Sequence, residues 1–143
     1  MVDLTAANAV ITFTIPGVFN TPQQLQGFAA DDIFSSDPIE VGEGSMGVDG
    51  IYSAGFVFKE IAQKYNLQAD SDSNFIFDSI NAYEKANLVK VPIEGLTSLP
   101  GLGTKWGMSR GFLMMYTPIP AAGRIVKPRS YEIRWNTVAP QPT

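Results

Sequence analysis

The sequence predicts a mainly β fold, with two packed antiparallel sheets in a β-sandwich or barrel and one flanking α-helix. Short runs of alternating apolar and polar residues recur along the chain, and clusters of Gly, Pro and Asp separate them. Runs of this kind, broken at short intervals by turn residues, are typical of sandwiches and barrels. Only the segment that follows Asp70 combines helix-starting residues with helical spacing, so a single helix is predicted.

The first part of the chain is predicted to contain three strands. Residues 10–15 alternate strictly, which indicates a half-buried strand. A second strand is predicted at 24–30. A third is predicted at 33–41 and should bend at its proline, because proline cannot donate to a sheet ladder. The glycine-rich residues 42–50 are predicted to be a loop that ends in the tight turn Asp49-Gly50.

The segment 51–69 fits both a strand and a helix. Its apolar residues share one face under either periodicity. The propensities of KEIAQK favour a helix, whereas the aromatic residues on either side favour a strand. No capping residue precedes Phe56, so we predict a strand, and a helix over 56–66 remains the alternative.

The helix is predicted to begin in the cluster from Asp70 to Asn74, whose side chains can accept hydrogen bonds from the free amides of a first turn. It is predicted to end at Asn87 with a left-handed cap. The residues predicted to face the core are Ile76, Phe77, Ile80 and Tyr83. Those predicted to face water are Asp78, Asn81, Glu84 and Lys85.

The remaining chain is predicted to alternate between strands and loops. Strands are expected at 88–93 and 110–117, and a last strand is expected to direct Tyr131, Ile133 and Trp135 inward. Residues 95–107 are rich in Gly and Pro and are predicted to be a loop that carries an isolated Trp106.

The whole chain, 1–143, is predicted to be one domain. No internal repeat and no long linker divides it, and its length suits one core of ordinary size. Residues 1–8 are expected to form an N-terminal arm, and 137–143 a solvated C-terminal tail.

The composition excludes several kinds of chemistry. The chain holds no Cys and no His, so disulfides, zinc sites and His-dependent catalytic triads or dyads are excluded. Asp70, Asp72 and Asn74 have the alternate spacing of a calcium loop but lack its glycine and its late Glu. We therefore expect no enzyme activity, no cofactor and no metal.

Two classes of partner are also disfavoured. No apolar run approaches the roughly 20 residues that span a bilayer, so no membrane partner is expected, and the N-terminus lacks the pattern of a signal peptide. The net charge of −4 argues against general nucleic-acid binding.

Charge is unevenly distributed along the chain. Every charged residue in 1–58 is acidic, and every charged residue in 99–143 except Glu132 is basic. A folded chain can interleave two such halves without functional meaning. The alternative is a subunit that meets its own copies head to tail. The residues predicted at such a subunit interface are Asp31, Asp32, Glu40, Glu43, Asp49, Arg124, Lys127 and Arg129.

The order of several short motifs resembles the bacteriophage tail tube proteins, a family of short phage structural proteins. The matching segments, which together span most of the chain, are 27–32 (GFAADD), 47–50 (GVDG), 53–58 (SAGFVF), 71–74 (SDSN) and 132–135 (EIRW).

The resemblance implies a tail-tube-like fold and a structural role without catalysis. Rings, expected to be hexameric, would stack into a tube through which genome DNA passes as cargo. The expected partners are further copies of the chain and the tail sheath, tape-measure, baseplate and tail terminator proteins. The protein would reside in the virion tail after assembly in the host cytoplasm. A net negative charge would suit such a conduit, because cationic walls retain phosphates.

Two other classes of protein remain open. One is another virion β-sandwich protein, such as a head decoration or head–tail joining protein. The other is a carbohydrate-binding β-sandwich that uses Trp106 and the loops around it.

Overall fold

The structure is a computed structural model that describes residues 9–28 and 34–142. In this part of the chain it contains nine β-strands and one α-helix. The strands are β1 (Val10–Ile15), β2 (Phe19–Gln24), β3 (Phe34–Ser36), β4 (Gly42–Met46), β5 (Tyr52–Phe56), β6 (Ile61–Leu67), β7 (Ile93–Leu99), β8 (Thr104–Tyr116) and β9 (Arg129–Pro142); the helix is α1 (Asn74–Asn87). The predicted arm at 1–8 lies outside the described residues.

Seven of the strands form one antiparallel sheet, in the order β2-β1-β7-β8-β9-β6-β3. The two longest strands, β8 and β9, lie next to each other near its centre and pair from Thr104 and Pro142 at one end to Tyr116 and Tyr131 at the other. The strands β4 and β5 pair with each other in a separate two-stranded sheet.

The large sheet curls back on itself. Three strands lie between β1 and β6, and at the usual strand spacing these two would be about 19 Å apart in a flat sheet. Yet Phe13 of β1 packs edge to face on Tyr65 of β6, with ring centres 5.4 Å apart. The two halves of the sheet therefore face each other across the core.

The helix α1 packs its apolar side against this core. Phe77 stacks on Tyr131 of β9 with ring centres 4.0 Å apart, and it meets Phe13 edge to face at 6.1 Å. Ile76 and Ile80 are buried beside it. Burial of large aromatic and aliphatic side chains is the main force that holds the helix on the sheet.

The predicted class, mainly β and antiparallel with one helix, is confirmed. The strand predicted at 10–15 is β1. Two strands, β5 and β6, together occupy most of the ambiguous segment 51–69, so the alternative of a helix over 56–66 is wrong. The sheets are divided differently from the prediction: one large curled sheet forms the body, and the small second sheet has every residue of both strands exposed.

Several predicted boundaries in the first half are wrong. The second strand is β2 at 19–24 and not the predicted 24–30. The predicted span contains Gly27, whose left-handed backbone conformation (φ 72°) does not continue a strand. Only 34–36 of the predicted third strand is extended in the sheet, and residue 33 lies outside the described residues. The long strand predicted at 51–69 is broken into β5 and β6 by a loop.

The prediction of a loop at 42–50 is wrong for its first half. Residues 42–46 form β4, and only 47–50 make the turn. The ring of Tyr52 lies over Gly44, where an added side chain would collide with it. This glycine makes room for a cross-strand aromatic ring, which a reading of glycine as a turn residue does not anticipate.

The predictions for the second half erred in the same way. The strand predicted at 88–93 begins only at its last residue, and most of the loop predicted at 95–107 belongs to β7 and β8, with Trp106 on β8. The reason is visible at Gly95, where an added Cβ would lie 2.8 Å from the ring of Trp135. The predicted tail at 137–143 is also a strand as far as 142, where β9 pairs with β8.

The helix begins within the predicted cluster and ends as predicted, but its cap differs. Leu88 (φ 54°) rather than Asn87 takes the left-handed conformation. Glu84, predicted to face water, is buried because its Oε2 accepts a hydrogen bond from the backbone amide of Val91 (2.9 Å) and its Oε1 pairs with Lys90 (3.2 Å). Tyr83, predicted to face the core, is exposed.

Candidate assembly surfaces

The polar cluster before α1 joins three parts of the fold. Ser73 caps the helix without bonding a helix amide; its Oγ accepts a hydrogen bond from the amide of Gln26 (2.7 Å). The Asn74 amide group donates to the carbonyl of Ser71 (3.0 Å) and accepts from the hydroxyl of Tyr131 (2.8 Å). These groups are occupied by contacts within the chain, and no cluster of metal-binding side chains occurs among the residues that the structure describes.

The first exposed surface is the β4–β5 hairpin with its flanks, residues 39–58, which we call the acidic hairpin. Its charged residues are all acidic, and they include Glu40, Glu43 and Asp49. Both glutamates are exposed. Asp49 lies in the turn, where its Oδ1 accepts a hydrogen bond from the amide of Ile51 (3.1 Å).

The acidic hairpin also exposes large apolar side chains. Phe56 and Phe58 are 73% and 90% exposed, and their rings meet edge to face at 5.0 Å. The other exposed apolar side chains of the hairpin are Ile39, Val41, Met46, Val48, Ile51 and Tyr52. A lone two-stranded hairpin is only marginally stable in water, and a contiguous apolar patch commonly marks a contact surface.

The second exposed surface is the connection between β8 and β9, residues 118–128, which we call the basic loop. It carries Arg124 and Lys127 and no acidic residue. The loop folds back on itself, since the amide of Lys127 bonds the carbonyl of Ala121 (2.7 Å) and the amide of Gly123 bonds the carbonyl of Ile125 (3.1 Å). Its exposed apolar side chains are Ile119, Ile125 and Val126.

Arg129, which follows the basic loop, points inward. The residue is 7% exposed, and its Nη2 pairs with Oδ1 of Asp78 on α1 at 2.8 Å. The hydroxyl of Tyr116 also donates to Asp78. Burial would raise the pKa of Asp78, but hydrogen bonds from Arg129 and Tyr116 outweigh burial and hold that pKa below its usual value. The hydrogen bond to Asp78 raises the pKa of Arg129 in turn.

The predicted interface residues therefore divide into four groups. Those on the acidic hairpin are Glu40, Glu43 and Asp49, and those on the basic loop are Arg124 and Lys127. Arg129 is held inside the fold and is not part of either surface. Asp31 and Asp32 lie outside the described residues.

Sequence reasoning missed the apolar part of both surfaces. The aromatic residues of the Phe-Val-Phe sequence at 56–58 are read in the sequence only as favouring a strand, whereas in the structure both rings are exposed to water. A signal was available in the sequence. Both surfaces correspond to a short stretch in which glycine or proline, large apolar residues and charges of one sign occur together.

The pocket around Trp106 is lined by residues from several strands of the curled sheet. It encloses about 260 Å³, and its other walls include Phe34, Ile61 and Met108. Its walls carry no charged residue, and the polar Gln63 is already occupied by a hydrogen bond from the hydroxyl of Tyr65 (2.6 Å). This lining gives a sugar few free hydrogen-bonding partners, so the geometry does not favour the carbohydrate-binding alternative.

Among the described residues, no helix combines the length and the apolar character needed to cross a bilayer.

Solved structures with the same fold come from contractile injection systems. A chain of the anti-feeding prophage baseplate matches with a TM-score of 0.60 and 14% identity, over 99% of this chain and 97% of that chain. A second match is a chain of the PVC sheath/tube terminator, from an extracellular contractile injection system in the extended state. Its TM-score is 0.59 and its identity 14%, over 99% of this chain and 98% of that chain. A chain of the PVC sheath–tube complex matches with a TM-score of 0.53 and 14% identity, over 93% of this chain and 88% of that chain.

A comparison with curated proteins gave no match. A comparison with protein families did: the sequence model described as "Tail fiber protein gp32" matches residues 2–139, nearly the whole chain. The protein belongs to this tail fiber protein gp32 family.

Proposed function

We propose that the protein is a structural subunit of a phage tail tube, whose rings, hexameric by expectation, stack into a hollow conduit for DNA. Membership of a phage tail family and a fold also found in tube, baseplate and terminator structures support this proposal. The observation that carries it is the pair of exposed surfaces, one acidic and one basic, both with apolar side chains.

In the proposed assembly, the acidic hairpin of one copy contacts the basic loop of the next. Two different surfaces of one chain make a heterologous contact, which builds rings when the rotation closes and stacks when it does not. The apolar residues, such as Phe56 and Ile125, would supply most of the binding free energy. The opposite charges would set the orientation and speed the encounter.

The same proposal assigns the partners and the location. The tube would contact the tail sheath, tape-measure, baseplate and tail terminator proteins, with DNA only as passing cargo. It would form in the host cytoplasm and reside in the virion tail. No step of this role requires catalysis by the chain.

The test is assembly of the purified protein, followed by negative-stain electron microscopy and light scattering. Tubes of constant diameter are expected from the unchanged chain. The variant Glu40→Lys/Glu43→Lys should remain a folded single copy, because it places positive charge against the basic loop. Adding Arg124→Glu/Lys127→Glu to the same chain should restore tubes.

A matched control separates the interface from net charge. Asp70→Lys/Asp72→Lys changes the net charge by the same amount on exposed residues outside both surfaces, so it should leave assembly intact. Normal tubes from Glu40→Lys/Glu43→Lys, or loss of tubes in the control as well, would contradict the proposed contact.

A second candidate is a ring that begins or ends the tube. The matches to the baseplate and the sheath/tube terminator have higher TM-scores than the match to the sheath–tube complex. A protein of this kind would form single rings that do not stack. Electron micrographs of the purified protein distinguish such a ring from a tube subunit. Labelling purified tails with an antibody to the chain distinguishes both from a head decoration or head–tail joining protein.

A further inference from the structure

We infer that Asp78 and Arg129 form a latch through which α1 fixes the base of the basic loop, so that the loop is presented to a neighbouring copy in one conformation. The part about the neighbouring copy rests on the proposed function. The latch itself rests on contacts within one chain.

Arg129 closes the base of the loop. The loop leaves β8 after Tyr116 and returns to β9 at Arg129. The guanidinium reaches back across this gap: its Nε and Nη2 donate to the carbonyl of Thr117 at 3.0 and 2.8 Å, and Nη2 also approaches the carbonyl of Pro118 at 3.4 Å. One planar guanidinium therefore sets the direction in which residues 117 and 118 leave the sheet.

Asp78 is what holds the guanidinium in this position. Its two carboxylate oxygens face Nη1 and Nη2 of Arg129 at 3.4 and 2.8 Å, a two-point contact that fixes orientation as well as distance. The guanidinium also lies 5.7 and 5.4 Å from the ring centres of Tyr116 and Tyr131. A buried cation without an anionic partner is strongly disfavoured, so loss of the carboxylate should displace the arginine.

The latch connects the loop to the helix specifically. Asp78 is the residue of α1 whose side chain bonds the base of the loop in the described part of the chain. The other end of α1 has a comparable ion pair, between Glu84 and Lys90, and Lys90 bonds the carbonyl of Leu113 on β8 (2.7 Å), away from the loop. Both pairs tie the helix to the sheet, and only the first reaches the loop.

An apolar contact would be sufficient if attachment of the helix were the only requirement, since replacing an ion pair that has a buried member, here Arg129, with apolar residues is often neutral or stabilising. What the arginine adds is direction: its Nε bonds the carbonyl of Thr117 while its Nη2 approaches the next carbonyl, that of Pro118. That is the property required of a loop that must meet a complementary surface in one geometry.

The test is hydrogen exchange of the full chain, at a dilution where light scattering shows single copies. In Asp78→Asn, the amides of Gly123 and Lys127 should exchange at least tenfold faster, while amides in β8 and β9 keep their rates. Arg129→Lys keeps the charge but presents its donors from a single nitrogen, whereas the planar guanidinium contacts both carboxylate oxygens and the Thr117 carbonyl from three nitrogens, so it should give the same pattern. The matched control Glu84→Gln should leave loop exchange unchanged.

Unchanged loop exchange in Asp78→Asn would overturn the latch, and so would a uniform increase over the whole sheet, because that pattern reports general destabilisation. Assembly of the same variant is measured separately. A faster loop with fewer tubes supports both the latch and the interface. A faster loop with normal tubes supports the latch and contradicts the role of the loop in assembly.

Discussion

Gly111 on β8 is the direct cross-strand partner of Trp135 on β9, and the indole ring lies so close to this glycine that no Cβ can be added without a collision. Gly111 is buried, and Trp135 is fully buried. The pair lies where the two longest strands of the sheet meet, so the size of the side chain at residue 111 governs how these strands pack.

Gly111→Ala should destabilise the protein by about 1–3 kcal/mol, the usual cost of forcing extra volume into a packed core. Urea unfolding followed by tryptophan fluorescence measures the free energy of unfolding. The control is Gly55→Ala on β5, where an added Cβ meets nothing within 4 Å. Equal stability of the two variants would contradict the packing described for Trp135.

Removing the aromatic rings of the acidic hairpin should abolish assembly without weakening the fold. Phe56→Ser/Phe58→Ser removes two side chains that are mostly exposed in the single copy, so the melting temperature of single copies should change little. Tube formation should fall sharply because apolar anchors dominate contact energies. Phe75→Ser on α1 is the control, since this exposed phenylalanine belongs to neither surface. Normal tubes from the hairpin variant would exclude these rings from the interface.

The ion pair of Asp78 predicts a loss of stability in acid. Its folded pKa is lowered, so its contribution is present above the unfolded value of about 4 and disappears as the pH falls through the folded value. The melting temperature of the unchanged protein should exceed that of Asp78→Asn at pH 6, and the difference should shrink as the pH falls below 4. A difference that stays constant down to pH 2 would show that the charge of Asp78 contributes nothing.

The two buried tyrosines, Tyr65 and Tyr131, and the half-buried Tyr116 predict a loss of stability in alkali. Burial raises the pKa of Tyr65, Tyr116 and Tyr131. The folded chain therefore keeps these protons where the unfolded chain releases them, and stability falls as the pH rises above the ordinary tyrosine value of about 10. Melting temperatures between pH 8 and 11 measure the slope. In Tyr65→Phe, the melting temperature should fall less steeply with pH. An unchanged slope would show that Tyr65 does not contribute to the loss of stability.

Local alternation was sufficient to predict part of the fold. The strand at 10–15 and the buried faces of the helix and of β9 follow from periodicity within one element, which is why Phe77 and Trp135 were correctly placed in the core. The order of motifs also identified a resemblance to phage tail proteins with a tail-tube-like fold, with which the family match and the fold agree.

Long-range contacts explain the rest. Gly95 and Gly111 were interpreted as loop or unremarkable strand residues because the ring of Trp135 that they accommodate lies on another strand. Glu84 was assigned to water because nothing in its own helix shows that the amide of Val91 returns to meet it. Arg129 was assigned to a surface for the same reason: its partner Asp78 is 51 residues earlier. The acidic character of the hairpin and the basic character of the loop depend only on the local sequence, so both were predicted.

The position of β9 between β8 and β6 has a consequence for the order of folding. Every other strand described is synthesised before β9, yet until β9 arrives, β6 and β3 have no strand that joins them to the rest of the large sheet. The curled body therefore cannot close while the chain is still being translated through this region. A copy that stops short of β9 would lack Tyr131 and Trp135 at its centre and should be cleared by proteases before it reaches a growing particle.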